Sequence, residues 1–221
     1  VGDQLKKRML HFFGITSLIL AILTLSITFT INFIPLYEWT AESLDLANRV
    51  GLSQDRLMQN YEKLIGYLNK PWVGTLNLPD FPSSESGLFH FYEVKRLFLL
   101  NYAILGISGI GAFVYLTYVQ KTKQQWKLIQ PFRIAIGVPF VALFFLTVNF
   151  NRFFILFHEL FFNNDDWIFN AATDPIILVL PEQFFLYTFI LAFGLLIAGF
   201  LGVYFWAKRS AFPQKKKSGG A

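Results

Sequence analysis

The chain has 221 residues and no cysteine; 54% are hydrophobic, 19% aromatic and only 15% charged, with a formal net charge of +5. Soluble domains carry about 25% charged residues, so this composition, with its mean hydropathy of +0.46, excludes a disordered chain and a nucleic-acid-binding domain. It points to the membrane class. Lack of cysteine further excludes disulfides, a Cys-based zinc site, a thiolate nucleophile and a lipidated cysteine.

Four stretches are long and apolar enough to cross roughly 30 Å of hydrocarbon as helices. They run over about 9–34, 97–119, 132–156 and 184–206. The first follows Lys6, Lys7 and Arg8 directly. Its apolar run exceeds a signal-peptide h-region and no small-residue cleavage site follows before Pro35, so it reads as a retained span. The outer segment 37–89 is too long for a turn. Thr40 and Ser53 are expected helix N-caps there, and Gly51 a helix stop. Leu52 and Leu57 bracket Ser53 at hydrophobic-staple spacing. Leu57, Met58, Tyr61, Leu64, Ile65 and Leu68 then form one apolar stripe, ended by Asn69-Lys70-Pro71. So small a piece cannot bury a core alone, and its stripe is expected to rest on the helix bundle or the lipid surface. Gly194, Ala198 and Gly202 in the fourth span, and Ser108 and Ala112 in the second, offer small-residue faces for close packing. The Lys215–Ala221 tail reads as a disordered basic end.

Charge predicts the orientation. The N-terminus, the 120–133 connection and the segment after Trp206 hold 12 Lys/Arg and one acid, Asp3. The opposite side, 35–96 and 152–183, holds 7 basic residues and 13 acids. Under the positive-inside rule both termini and the middle connection are cytoplasmic. The expected fold is therefore an all-α membrane protein, one integral domain over 1–221, with four transmembrane helices and both termini cytoplasmic. A small helical extracellular cap is expected from about 35–96 plus 157–183.

Three histidines narrow the chemistry. His11 stands beside Lys6–Arg8, where a headgroup contact is the ordinary role. His90 and His158 each stand on the outer side where a cap segment meets a span, and two histidines at one depth can converge on one substrate. Glu93, three residues after His90, is placed on a helix to orient that ring or raise its pKa. Asn151 lies two turns before His158, and Arg152 follows it. Ionisable groups so close to hydrocarbon are costly and point to function. His158-Glu159 is not part of a His-Glu-x-x-His pair, since residue 162 is Phe, and no metal or cofactor is expected. No Gly-x-Ser-x-Gly elbow exists, and Ser83, Ser84 and Ser86 sit in an ordinary turn cluster. Histidine general acid–base chemistry in a phenylalanine-rich, water-poor pocket remains, with the substrate supplying its own nucleophile. An amine or hydroxyl attacking an acyl ester fits that restriction, and Arg152, Asn151 or a backbone N–H would face the oxyanion.

The block His90-Phe91-x-Glu93-Val94-Lys95 resembles the outer-face motif of the bacterial lipoprotein intramolecular transacylases. So does Phe157-His158-Glu159-Leu160-Phe161-Phe162-Asn163, followed by Trp167, Pro175 and Leu180-Pro181-Glu182-Gln183-Phe184-Phe185. The four-span layout and the cap fit as well, so the resemblance covers nearly the whole chain. It implies an acyltransferase of the Gram-positive plasma membrane, working at the extracellular face. Such an enzyme moves the sn-2 acyl chain of a diacylglyceryl lipoprotein onto the α-amino group of its N-terminal cysteine, giving the lyso-form. It also implies that His90 and His158 are the catalytic pair. His158 is then the expected base and His90 the acid, or the reverse. Tyr92 and Trp167 would line the pocket. Membrane lipids are the expected surroundings, a monomer the expected state, and no nucleic acid is involved. The alternatives are a lipid-directed hydrolase, an intermolecular acyltransferase using the same histidines, and a non-enzymatic membrane sensor.

Overall fold

The computed structural model describes residues 2–212; the predicted basic tail Lys215–Ala221 lies outside the described residues. Eight helices follow one another: α1 Gly2–Ile31, α2 Ile34–Ser43, α3 Leu46–Arg49, α4 Gln54–Asn69, α5 Glu85–Lys121, α6 Ile129–Val148, α7 Phe150–Phe161 and α8 Glu182–Ala211. Short 3-10 turns occupy Gln125–Leu128 and Pro175–Val179, and no strand occurs among the described residues. The helices α1, α5, α8 and the Gln125–Val148 stretch are long and apolar enough to cross a membrane. The chain is thus an all-α membrane protein with four candidate spans.

The described chain divides into two compact units. One gathers residues up to Ser26, Ile104–Ala142 and the chain from Phe193 on. Leu18, Tyr115, Val119, Phe132 and Phe200 form its apolar centre. Small residues let backbones approach closely, but not where the four-residue spacing in α8 placed the contact. A Cβ on Gly194 or Gly202 would meet no atom within 4 Å, whereas one on Gly199 would lie 2.5 Å from Ile22 Cγ2. The tight face of α8 is the one carrying Gly199. Ser108 and Ala112 are buried as expected, and a Cβ on nearby Gly111 would come within 2.7 Å of Ser17 Oγ.

His11 belongs to this unit and is not left to lipid headgroups. Its Nδ1 is 3.0 Å from the Tyr115 hydroxyl, and its Nε2 is 2.8 Å from Lys127 Nζ and 3.0 Å from Gln124 Oε1. The ring thereby joins α1 to α5 and to the Gln125–Leu128 turn. Replacing His11 with alanine is expected to cost about 1–2 kcal/mol of stability, read as a lower melting temperature in detergent. Activity per folded molecule should be unchanged.

The second unit comprises Ile27–Ala103 and Leu143–Ala192, and it holds His90 and His158. Its core is aromatic: Tyr37 of α2 stacks on Tyr61 of α4 at 3.7 Å, and the Phe184 ring stands edge-on to both. The Tyr37 hydroxyl donates to Val179 O at 3.0 Å, fastening α2 to the Pro175–Val179 turn. The apolar stripe of α4 packs into this core, with Leu57, Tyr61, Leu64 and Leu68 buried and Met58 and Ile65 beside them. The 37–89 segment therefore shares one core with the first turns of α5 and the 175–184 segment.

Ser53 caps α4 as expected, its side chain accepting the Arg56 N–H at 3.2 Å. Gly51 adopts φ +68° just beyond α3, a left-handed conformation that favours glycine. Thr40 is no N-cap. It lies inside α2, donating its hydroxyl to Leu36 O at 2.7 Å, because Pro35 already starts that helix in its first turn.

A buried amide secures the connection after α4. Asn60 is fully buried; its Nδ2 donates to Arg56 O and Asp80 Oδ2, while its Oδ1 accepts the Asp80 N–H. Replacing Asn60 with alanine leaves the Asp80 N–H without its partner, at an expected cost of about 1–3 kcal/mol, visible as a lowered thermal midpoint.

The expected third span, 132–156, is in fact two helices. Asn149 leaves helical geometry at φ −153° and caps α7, its side chain accepting the Arg152 N–H at 3.0 Å. The third candidate span ends at Val148, and α7 begins a separate amphipathic helix. Both pieces are rich in phenylalanine, so hydropathy alone joins them.

Candidate active site

His90 sits in the second turn of α5 and His158 in the last turns of α7. Their ring centroids are 5.8 Å apart, tilted by 35°. Residues at i−4 and i+4 from His158 lie on its face of the helix, and here both are phenylalanines. The Phe154 ring is 4.1 Å from the His158 ring, and Phe162 stands against both histidines, 4.7 Å from His90 and 5.6 Å from His158. Trp167 stacks on His158 at 4.7 Å, and Phe169 meets His90 edge-on at 5.5 Å. The two imidazoles are enclosed in an aromatic wall contributed by α7 and the loop that follows it.

Their hydrogen bonds define chemical states. His158 Nδ1–H donates to Phe154 O at 2.8 Å, which leaves Nε2 as the basic nitrogen. Burial pulls the His158 pKa below its ordinary value, only partly opposed by the bond to the Phe154 carbonyl, so the ring is neutral at neutral pH. His90 is 7% exposed, and its Nδ1 is buried without a hydrogen-bond partner among the described residues. A buried polar atom without a partner is rare.

The neighbours expected around the pair divide. Trp167 lines it. Glu93 does not hydrogen-bond His90; its two carboxylate oxygens accept from Asn164 Nδ2 at 3.1 Å each, so it holds the post-α7 loop. Tyr92 is exposed, with its ring 6.3 Å from Phe89, because position i+2 on a helix points away from His90. Asn151 and Arg152 are exposed in the first turn of α7. Seven residues at 1.5 Å rise put Asn151 about 10 Å along the helix from His158, so only a long substrate reaches both. Phe162, one of the motif aromatics, lines the pair as well. Phe154, Phe169 and Asn164 completed the site without being singled out in the sequence, and Phe154 was legible in principle from its spacing to His158.

A cavity of about 570 Å³ opens beside this wall, lined by Glu159, Phe162, Asn163, Asn164, Asp165 and Trp167 among others. Its polar lining suits a headgroup or peptide, and Phe162 and Trp167 are shared with the histidine enclosure. No cluster of three or more metal-ligating His, Cys, Asp or Glu side chains occurs among the described residues.

The fold and site define an all-α membrane protein with four candidate spans and two closely placed histidines. The family model for lipoprotein intramolecular transacylase Lit matches residues 12–185, and the chain belongs to that family. A structure of the membrane-integral lipoprotein intramolecular transacylase Lit from Bacillus cereus is similar at TM-score 0.89 and 27% identity, covering 95% of this chain and 97% of that one. A structure of the same Bacillus cereus protein carrying a histidine-to-arginine mutation is similar at TM-score 0.81 and 26% identity, over 94% of this chain and 93% of that one. No curated protein matches the chain. The chain is therefore an acyltransferase of lipoprotein biosynthesis, a multi-pass membrane protein acting on lipoproteins.

Proposed function

We propose that the protein transfers the sn-2 acyl chain of a diacylglyceryl lipoprotein to the α-amino group of the same molecule's N-terminal cysteine, through His158 and His90. The observation that carries this reading is the pair itself: two enclosed imidazoles 5.8 Å apart, one with its basic nitrogen assigned by a backbone bond. The amine nitrogen attacks the ester carbonyl carbon, forming the C–N bond, while the bond from that carbon to the sn-2 oxygen breaks. His158 Nε2 takes the proton leaving nitrogen, and that proton is handed through His90 to the departing alkoxide, so both rings end as they began and the reaction balances without water.

Because nucleophile and ester share one molecule, proximity supplies much of the rate. The aromatic wall favours acyl chains over water, which supports transfer rather than hydrolysis. Charge bias favours an outward-facing site, since 13 acids but 7 basic residues lie on the histidine side of the spans. The enzyme acts there as a monomer among membrane lipids. Arg152 and Asn151 contact the glyceryl or peptide portion rather than the rings, with the oxyanion role open to them only through a substrate that spans the gap.

Mass spectrometry of a synthetic diacylglyceryl lipopeptide incubated with the purified protein tests the proposal. Unchanged total mass with one acyl chain amide-linked to nitrogen is expected. Loss of an acyl mass identifies a hydrolase, gain of one an intermolecular acyltransferase, and an unaltered substrate a non-enzymatic role.

A further inference from the structure

The loop after α7 supplies Trp167 and Phe169 to the histidine wall, so the geometry of the pair depends on how that loop is held. It is fastened to α5 at two points that bracket His90. One is the Asn164–Glu93 contact after His90 in the helix. The other is Asp174, before it. The Asp174 side chain is 2% exposed and accepts three hydrogen bonds: the Ser84 N–H at 2.8 Å, the Ser84 hydroxyl at 2.8 Å and the Thr173 hydroxyl at 2.7 Å.

Ser84 is the residue that starts α5. Its carbonyl accepts the Leu88 N–H at 2.9 Å and its hydroxyl accepts the Gly87 N–H at 3.0 Å. A carboxylate at a helix N-terminus is favoured by the orphan N–H groups and the helix dipole. Burial alone would push the Asp174 pKa up, but the bonds from Thr173 and Ser84 outweigh it and leave it below its ordinary value, so the group stays charged. Gly87 completes the fit, because a Cβ there would collide with Asp174 Oδ1.

We propose that Asp174 is a positioning residue of the transfer reaction: by gripping Ser84, the N-cap of α5 six residues before His90, it holds the aromatic loop closed over the histidine pair. It touches neither histidine and acts through Ser84 and the loop. The inference rests on the acyl-transfer reading above. Asp174→Ala keeps both histidines in the chain but releases the loop that sets their geometry. A misplacement of about 1 Å costs on the order of 100-fold in rate, and that is the loss in kcat expected, with KM little changed.

The test is steady-state kinetics on diacylglyceryl lipopeptide in detergent, at a temperature well below the melting point of every variant. Asp174→Asn keeps an acceptor for the Ser84 N–H and is expected to recover most of the lost kcat. Gly87→Ala displaces the carboxylate from the other side and should reproduce the loss, yet cost nothing further when added to Asp174→Ala. Wild-type kcat in folded Asp174→Ala, or losses from Gly87→Ala and Asp174→Ala that simply multiply, overturns the proposal while leaving the transfer reading intact. Absence of transfer by the wild type overturns both.

Discussion

His158→Ala and His90→Ala are each expected to lower the transfer rate by about 10²–10⁴, the usual contribution of a positioned general acid or base. Substrate binding should persist, because the aromatic wall and the cavity beside it remain. The two losses should not multiply: proton removal and proton return serve one tetrahedral intermediate, so the double variant is expected to be little slower than the worse single one. Rates of amide formation, followed by fragmentation of the lipopeptide, give the comparison. A double variant slower by the full product of the single effects would falsify the shared mechanism.

The dependence on pH is the second large effect. His158 must be neutral at Nε2 to take a proton, and burial lowers its pKa from the ordinary value near 6.5. The sign follows directly: the active neutral form persists below pH 6.5 and is lost only as pH falls through the lowered pKa. Below that point the rate should fall about tenfold per pH unit. On the alkaline side, activity should rise as the substrate ammonium loses its proton, around pH 7.7–8.0 for an ordinary α-amino group. An acid limb centred above 6.5 would contradict the burial of His158.

Much of this architecture was legible because it is written locally. Hydropathy marks the four spans, Ser53 marks the start of α4, and the α4 stripe marks its buried face. His90 and His158 stand out because titratable residues near hydrocarbon are few. The break at Asn149 was hidden by phenylalanines on both sides, although an N-cap three residues before Arg152 was its visible sign. The four-residue spacing of Gly194, Ala198 and Gly202 misled, since spacing shows where a close approach is allowed and only a partner such as Ile22 shows where it happens. Glu93 was placed correctly on a helix beside His90 but given the wrong partner. Asn164 lies 71 positions away in sequence, and Asp174 lies 90 from Ser84. Contacts that distant carry no local periodicity. For that reason Ser84 read as one more turn serine, when it is the cap of the helix that carries a site histidine.

The stacking of Trp167 on His158 at 4.7 Å also gives the site its own optical signal. An imidazolium over an indole face is held by cation–π attraction and withdraws electron density from the excited ring, so protonation of His158 should dim Trp167 emission. The other tryptophans are Trp39, Trp72, Trp126 and Trp206, none of them in ring contact with either histidine. Replacing those four with phenylalanine leaves a protein whose fluorescence titrates with the protonation of His158, in a bilayer and without any substrate present.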